Sequence, residues 1–292
     1  MQPRKTDIAE SRRRLVQRVA SREPTPVPLC LDPLTARLAE VLGYHAGYVS
    51  GGALGFALAV SEALLSIDEL AAATRAIVRR CDLPIIVDGA VGFGDPVHVT
   101  RMMWEFEAAG AAAVELEDQV APKRVSHHRG IEHLVAREEM VAKIVASVAA
   151  RQDPNFLVIA RTAAVRHEGI DAACERARAY VDAGADVMLI PIPATDDDIA
   201  RVAAVVDVPL ATIGLFDQAV NGYPPGIGLF IDAMTPHVAV YRATKELLSG
   251  HLRGDRSGLD PKELMATYRE LGTTGGFEEL YDIERATTEP GT

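Results

Sequence analysis

The sequence predicts an α/β protein built as a (β/α)8 TIM barrel. Eight short β-branched or apolar runs recur along the chain: PVPLCL (26–31), AGYVSG (46–51), PIIVDG (84–89), AAVELED (112–118), FLVIART (156–162), DVMLIPI (186–192), VPLATIG (208–214) and GLFIDAM (228–234). Amphipathic stretches separate them, the pattern of a parallel sheet with helical crossovers. Eight is also the strand number that closes such a sheet. A length of 292 residues allows two average domains or one large barrel, and the alternation favours one barrel domain over 1–292.

In chain order, residues 1–25 read as a charged N-terminal helical extension without a signal-peptide core, and residues 26–250 as the barrel. Ser66 with Glu69 forms a capping box ahead of a helix over Leu70 to Arg80. Gly110 and Gly184 follow WEFEAAG and RAYVDAG as left-handed C-terminal caps. Residues 217–227, DQAVNGYPPGI, form a turn-rich loop. Residues 251–283 form a C-terminal helical segment with Asp260-Pro261 as N-cap and first helical residue, and 284–292 a frayed tail. There is no repeat beyond the βα alternation and no low-complexity tract.

Composition narrows the function classes. Apolar residues make up 48% of the chain, enough for a large core, and the net charge of −11 is mild for this size. Outside Arg12-Arg13-Arg14 the cations are scattered, so a nucleic-acid partner is not expected. No apolar run approaches the roughly 20 residues that span a bilayer, so a soluble cytoplasmic protein with no membrane partner is expected. Cys30, Cys81 and Cys174 lack CxxC spacing and are expected to be reduced and buried.

Barrels of this kind place chemistry at the carboxyl ends of their strands. The polar residues there are Asp32, Ser50-Gly51-Gly52, Asp88, Glu117-Asp118 and Arg161-Thr162. Singly, each is compatible with a cap or a turn. Together, acids from the third and fourth strands facing an arginine from the fifth suit a hard divalent cation and an anionic substrate. The glycines after Ser50 allow backbone amides to approach a second carboxylate. This reads as a site for a small di- or tricarboxylic acid. The cation-rich stretch 117–130, EDQVAPKRVSHHRG, is either a lid that closes over an anion or a solvated loop. His45, His98, His133 and His237 share no ligand spacing, whereas His127 and His128 lie in the lid. Trp104 reads as a packing residue.

The segments DPLTARLAEVLGYHAGYVSGG, PIIVDGAVGFGDPVHVTRMMWEFEAAGAAAVELEDQVAPKRVSHH, REEMVAKIVASVAARQDPNFLVIARTAA and ERARAYVDAGADVMLIP occur in order over about residues 28–250. They resemble the isocitrate lyase and phosphoenolpyruvate mutase superfamily, especially its 2-methylisocitrate lyase-like members. The resemblance implies a barrel whose last helix is swapped to a neighbour in a homodimer or homotetramer. It also implies Mg²⁺-dependent chemistry on 2-oxo acids or their aldol adducts. Tyr48, Ser50, Gly51 and Gly52 match the family's substrate-carboxylate cradle, Y-x-S-G-G. Asp88 matches the first acid of D-x-D-x-G-[FYW]-G, nearest Mg²⁺, Glu117 the acid of I-E-D-Q, and Arg161 the arginine of A-R-T-D-A. Lys123, Arg124 and His127 match the flanks of the lid motif K-[KR]-C-G-H. The resemblance thus assigns catalysis to Asp88, Glu117, Lys123, His127 and Arg161, and the metal to Asp88 and Glu117.

Departures from the pattern are equally specific. Ala90 replaces the second acid of D-x-D, Val125 the lid cysteine, Ser126 the glycine after it, and Ala163 the aspartate of A-R-T-D-A. The glutamate after strand six is missing from LIPIP, and the asparagine after strand seven is replaced within Ala211-Thr212-Ile213. Glu62 matches a further family acid if one residue is deleted. Losing one carboxylate near the metal weakens affinity about 10- to 100-fold, so Mg²⁺ binding is expected to be weak and assisted by substrate. Val125 cannot protonate a carbanion. The expected function is an enolate-forming carbon–carbon lyase or decarboxylase on a small 2-oxo or 2-hydroxy di- or tricarboxylate. A non-catalytic carboxylate-binding homologue and a phosphonate C–P enzyme are the alternatives.

Overall fold

The computed structural model describes residues 7–191, 194–220, 222–255 and 257–289. Its strands are β1 (Thr25–Pro28), β2 (Gly47–Val49), β3 (Ile85–Asp88), β4 (Ala113–Glu117), β5 (Leu157–Arg161), β6 (Val187–Leu189), β7 (Leu210–Ile213) and β8 (Ile227–Asp232). They pair in the order β1-β8-β7-β6-β5-β4-β3-β2. Every ladder is parallel. The bridge between Leu29 and Tyr48 brings β1 back to β2. Each apolar run therefore contributes one strand, and the predicted barrel is the observed architecture. Ile192, the end of the sixth run, lies outside the described residues.

Side chains alternate across each strand, and this alternation sorts the core into two layers. Val87, Val114, Leu116, Val158 and Ala160 face the helices. Val27, Ile86, Ile159, Val187, Leu229 and Ile231 fill the barrel interior. Leu15 and Val19, from the helix Ile8–Ala20, join that interior cluster and seal one end of the barrel. Arg12 anchors the helix: its Nε donates to the Ala111 carbonyl at 2.9 Å and its Nη1 to Asp153 Oδ2 at 3.1 Å. The N-terminal extension is thus part of the barrel's closure.

Local punctuation follows the sequence closely. Ser66 and Glu69 make the capping box of the helix Ile67–Val78. Gly110 and Gly184 adopt φ of 91° and 103°. Asp260 accepts from the N–H groups of Lys262 and Glu263 ahead of the helix Pro261–Gly275. The turn-rich loop after β7 opens on a 3-10 turn, Phe216–Ala219. Three expectations are corrected. The helix Phe277–Thr287 runs into the segment read as a frayed tail. Trp104 is 52% exposed rather than packed, because its helix turns that position away from the sheet. Cys30 and Cys81 are buried, but Cys174 is only half-buried; none of the three forms a disulfide. Asn221 and residues 290–292 of the predicted loop and tail lie outside the described residues.

The helix after β8, Thr235–Leu252, has no buried residue and exposes Val238, Val240, Tyr241, Leu247, Leu248 and Leu252. The helix Pro261–Gly275 instead returns to the helix Pro33–Val41, where Arg37 donates to the Thr274 carbonyl. Among the described residues, no helix is long and apolar enough to cross a membrane.

Candidate active site

The inner-face positions at the carboxyl ends of β2 to β5 carry Tyr48, Asp88, Glu115, Glu117 and Arg161. Register brings them together: Asp88 lies beside Glu115, and Glu117 beside Arg161. Arg161 Nη1 donates to Glu115 Oε1 at 2.9 Å, and its Nε lies 3.6 Å from Glu117 Oε2. The Tyr48 hydroxyl donates to Glu115 Oε2 at 2.6 Å. Glu115 therefore organises the arginine and the tyrosine, although its place within a strand disguised it as sheet. Its legible signal is the pair of acids two residues apart in AAVELED, a spacing that puts both on one face. Asp118, one residue on, faces the helices and accepts from the hydroxyls of Thr162 at 2.6 Å and Tyr180 at 2.8 Å. It ties strand to helix and takes no part in the mouth. Asp32 likewise caps the helix Pro33–Val41 through the Thr35 N–H.

Asp88 is 5% exposed, and each of its oxygens accepts one backbone hydrogen bond, from Gly51 at 2.9 Å and Ala90 at 2.8 Å. Burial pushes its carboxyl up to about 7, Glu62, Glu115 and Glu117 add to the rise, and Lys123 opposes it. The loop after Asp88 is held at several points. Ala90 and Phe93 adopt left-handed φ of 46° and 60°, each a strained choice for a residue with a side chain. The Glu117 N–H donates to the Ala90 carbonyl at 2.9 Å. Beneath the loop, the fully buried Lys143 donates to the Val91 carbonyl at 3.0 Å. Lys143 is a positioning residue, since it holds the backbone that aims Asp88.

The glycine turn after β2 lies against Asp88 and Glu62. Ser50 Oγ caps its own helix through the Ala53 N–H at 3.2 Å, and Gly51 donates to Asp88. The Tyr48 hydroxyl and the Gly51 N–H are thus engaged within the protein, and Ser50 Oγ accepts from its own helix. A Cβ at Gly51 would lie 3.0 Å from Glu62 Cγ and 3.1 Å from Asp88 Oδ2, and one at Gly52 3.6 Å from Glu62 Oε2. The absence of side chains is what lets two carboxylates close in here.

Glu62 does reach the mouth, as the one-residue deletion implied. It pairs with Lys123 and lies 3.1 Å from His127 Nε2. Burial raises the Glu62 carboxyl, but Lys123 and His127 outweigh it and hold it at about 2. Lys123 Nζ also stands 2.5 Å from Glu117 Oε1. Burial works against the ammonium, yet Glu117, Glu62 and Asp88 together keep it protonated beyond the ordinary lysine range. These contacts decide the state of residues 119–130, which form a docked lid over the mouth and not a solvated loop. Val120 and Val135 bond back to His133 and Asp118, and a 3-10 turn spans Val125–Arg129. His128 Nε2 lies 3.2 Å from Ser61 Oγ, with its ring 5.4 Å from that of Phe56. Val125, in place of the lid cysteine, is 57% exposed.

The mouth gathers four buried carboxylates, Glu62, Asp88, Glu115 and Glu117, against the permanent cations Lys123 and Arg161. Two buried atoms there, Glu117 Oε1 and Arg161 Nε, have no hydrogen bond, the former meeting Lys123 only as an ion pair. No cluster of three metal-binding side chains occurs among the described residues. Asp88 and Glu117 nonetheless fit a hard cation that needs one or two protein oxygens and keeps its waters. The surplus of negative charge and the open lone pairs of both acids favour such an ion.

A family model described as phosphoenolpyruvate phosphomutase matches residues 17–221. The chain is 34% identical over 274 residues to 2,3-dimethylmalate lyase of Eubacterium barkeri, covering 91% of this chain and 94% of that protein. It is 38% identical over 259 residues to oxaloacetate decarboxylase of Paraburkholderia xenovorans, covering 84% and 86%. The crystal structure of phosphonopyruvate hydrolase with oxalate and Mg²⁺ superposes with a TM-score of 0.81 at 28% identity, over 95% of this chain and 99% of that one. The chain belongs to the phosphoenolpyruvate mutase/isocitrate lyase superfamily.

Proposed function

We propose that this protein is a carbon–carbon lyase or decarboxylase acting on a small 2-oxo or 2-hydroxy di- or tricarboxylate through an enolate. The observation that carries the reading is the convergence of Asp88, Glu117, Lys123 and Arg161 under a docked lid. An enolate concentrates negative charge on oxygen, and preorganised cations in a water-poor site stabilise it more than water does. Arg161, held by Glu115, presents its remaining donors to a substrate carboxylate. Lys123 faces the oxygen that gains charge, and the lid keeps water out. Mg²⁺ bound by Asp88 and Glu117, with substrate oxygens completing its shell, would supply Lewis-acid stabilisation of that oxygen. Tyr48 supports the site by bonding Glu115 and Gly51 by bonding Asp88, and the Ser50 hydroxyl and Gly52 N–H face a second substrate carboxylate as the Tyr48-Ser50-Gly51-Gly52 cradle.

Decarboxylation asks least of these residues, because CO₂ leaves once the electron pair is accommodated. A lyase reaction also needs a proton donor, and His127 takes that role where Val125 cannot. Burial lowers the His127 pKa, but its hydrogen bond to Glu62 outweighs this and keeps the ring protonated above the ordinary histidine range. A phosphonate reaction is disfavoured, since Val125 offers no polar group to a transferring phosphoryl and the relatives noted above at 34% and 38% identity are a lyase and a decarboxylase. A non-catalytic role leaves four buried carboxylates without purpose, against a desolvation cost of several kcal/mol per buried ion.

The exposed apolar face of Thr235–Leu252 supports a homodimer or homotetramer in which that helix packs on a neighbouring copy. Three cysteines outside any disulfide fit a cytoplasmic location. The test of function is thermal shift with oxalate, with and without Mg²⁺, beside an oxaloacetate turnover assay. Ligand at 100 times Kd adds ~2.7 kcal/mol of stability. An unmoved melting point at millimolar oxalate and Mg²⁺, with no turnover, overturns the reading.

A further inference from the structure

The lid leaves the sheet at Asp118 and rejoins the core at Val135, and its two ends are tied to each other. The Val135 N–H donates to the Asp118 carbonyl and the Val120 N–H to the His133 carbonyl, both at 2.8 Å, and Gln119 pairs antiparallel with Leu134. Residues 118–120 and 133–135 thus form a two-stranded root, from which 121–132 reach over the mouth. Behind the root stands Arg176, on the helix Ile170–Asp182 and only 7% exposed. Resting on the reading of residues 119–130 as a lid over a small-carboxylate site, we propose that Arg176 is a positioning residue for the reaction: it holds the root in one orientation, so that docking delivers Lys123 and His127 to the mouth.

Every N–H group of this guanidinium has an acceptor. Nε and Nη2 fork onto Glu168 Oε2 and Oε1 at 2.7 and 2.8 Å, and Nη2 also donates to the Val135 carbonyl at 3.0 Å. Nη1 donates to the Tyr180 hydroxyl at 2.9 Å and to Asp118 Oδ2 at 3.3 Å. These acceptors include the lid's entry, its exit and the end of the loop after β5, where Glu168 follows the short helix Ala164–His167. That loop starts at Arg161 and touches the lid again where His167 Nε2 lies 2.7 Å from Glu132 Oε2. A rigid planar fork that bonds all three segments fixes their mutual angle, which a flexible ammonium with three donors does less well. Packing alone does not call for a cation here. Ala173 and Ala177 bury the same face of the helix, and a buried charge is costly unless its partners are all in place. At the far end, Lys123 pairs with Glu62 and Glu117, and His127 with Glu62. With the root already held, the span that must be ordered on docking is shorter and the loss of chain entropy smaller.

Hydrogen exchange on the full chain, followed in fragments of the lid and of the strands, tests this without reference to turnover. Arg176→Met should speed exchange across 120–133 by at least about tenfold while β3, β4 and β5 change little. Arg176→Lys should recover part of the protection. Glu168→Gln weakens only the more exposed arm of the fork and should raise lid exchange by about threefold, which decides the matter if Arg176→Met does not fold. Arg12→Met, the loss of another buried arginine bonded to backbone carbonyls, should leave lid exchange unchanged. Unmoved lid exchange in both Arg176→Met and Glu168→Gln overturns the assignment. An equal rise in Arg12→Met, or a rise in the strands that matches the lid, also overturns it, since the effect is then on general stability. In turnover of oxaloacetate, kcat in Arg176→Met should fall by about tenfold and return in part with Arg176→Lys; an unchanged kcat beside a loosened lid overturns the positioning role. Absence of turnover in the unmodified protein counts instead against the reading of the mouth, and the exchange result then stands by itself.

Discussion

The two ends of this barrel are made by the same strands and have opposite chemistry. One interior end is apolar and closed by Leu15 and Val19 from the N-terminal helix. The other holds Asp88, Glu115, Glu117 and Arg161 on the continuation of the same inward-facing rows, covered by a lid whose pins are ionic. The first gains free energy from every side chain it buries. The second buries charges at a cost that excellent pairing only partly offsets. Stability and function are separated along the barrel axis, and mutations at the two ends should separate the same way.

The largest expected effect is on activity. Asp88→Asn keeps the volume but only one of the two backbone hydrogen bonds, since its amide nitrogen faces the other N–H, and it removes the charge proposed to hold the metal, so kcat/KM for oxaloacetate should fall by about 100-fold or more with a small drop in the melting point. A loss below tenfold would remove Asp88 from the chemistry. At the opposite end, Leu15→Ala should cost about 3 kcal/mol of unfolding free energy in urea, as large-to-small changes in sealed cores do, with kcat/KM unchanged in the folded fraction. If activity falls as far as stability, the two ends are not independent.

A smaller change tests the missing acid. Ala90 sits at φ 46°, a conformation that aspartate accepts more readily than alanine. Ala90→Asp should therefore tighten Mg²⁺ binding by about tenfold in calorimetry. No tightening would mean that Asp88 and Glu117 do not form the metal site.

The smallest effect is on lid docking, followed by hydrogen exchange of 119–135. Glu62 is held down at about 2 from 4.5, so its contribution is complete above 4.5 and fades as pH falls through the window between. His127 is raised from 6.5, so its contribution is complete below 6.5 and fades as pH climbs through its higher folded value. Lid protection should pass through a plateau near pH 5 to 6 while sheet protection stays flat. Protection that rises steadily with pH would assign docking to other groups.

Legibility differed by residue for physical reasons. Asp88, Glu117 and Arg161 could be read because an acid or arginine ending an apolar run is conspicuous, and a barrel sends such ends to one mouth. Glu115 hid inside its run. Asp118 looked equivalent to Glu117, yet the pleat turned it toward Thr162 and Tyr180. The lid could not be assigned from composition, since what pins it is Glu62, 61 positions before Lys123.

The sequence by itself determined the barrel, its closing helix caps and the strand ends that bear chemistry, because these follow from local periodicity and turn preference. The tertiary structure alone decided which charges meet. It recruited Glu62 and Glu115, brought the Gly51 N–H to Asp88 and buried Lys143 under the Asp88 loop. Those outcomes depend on distances between residues remote in sequence, and Coulomb and hydrogen-bond energies are set by such distances once the core has packed.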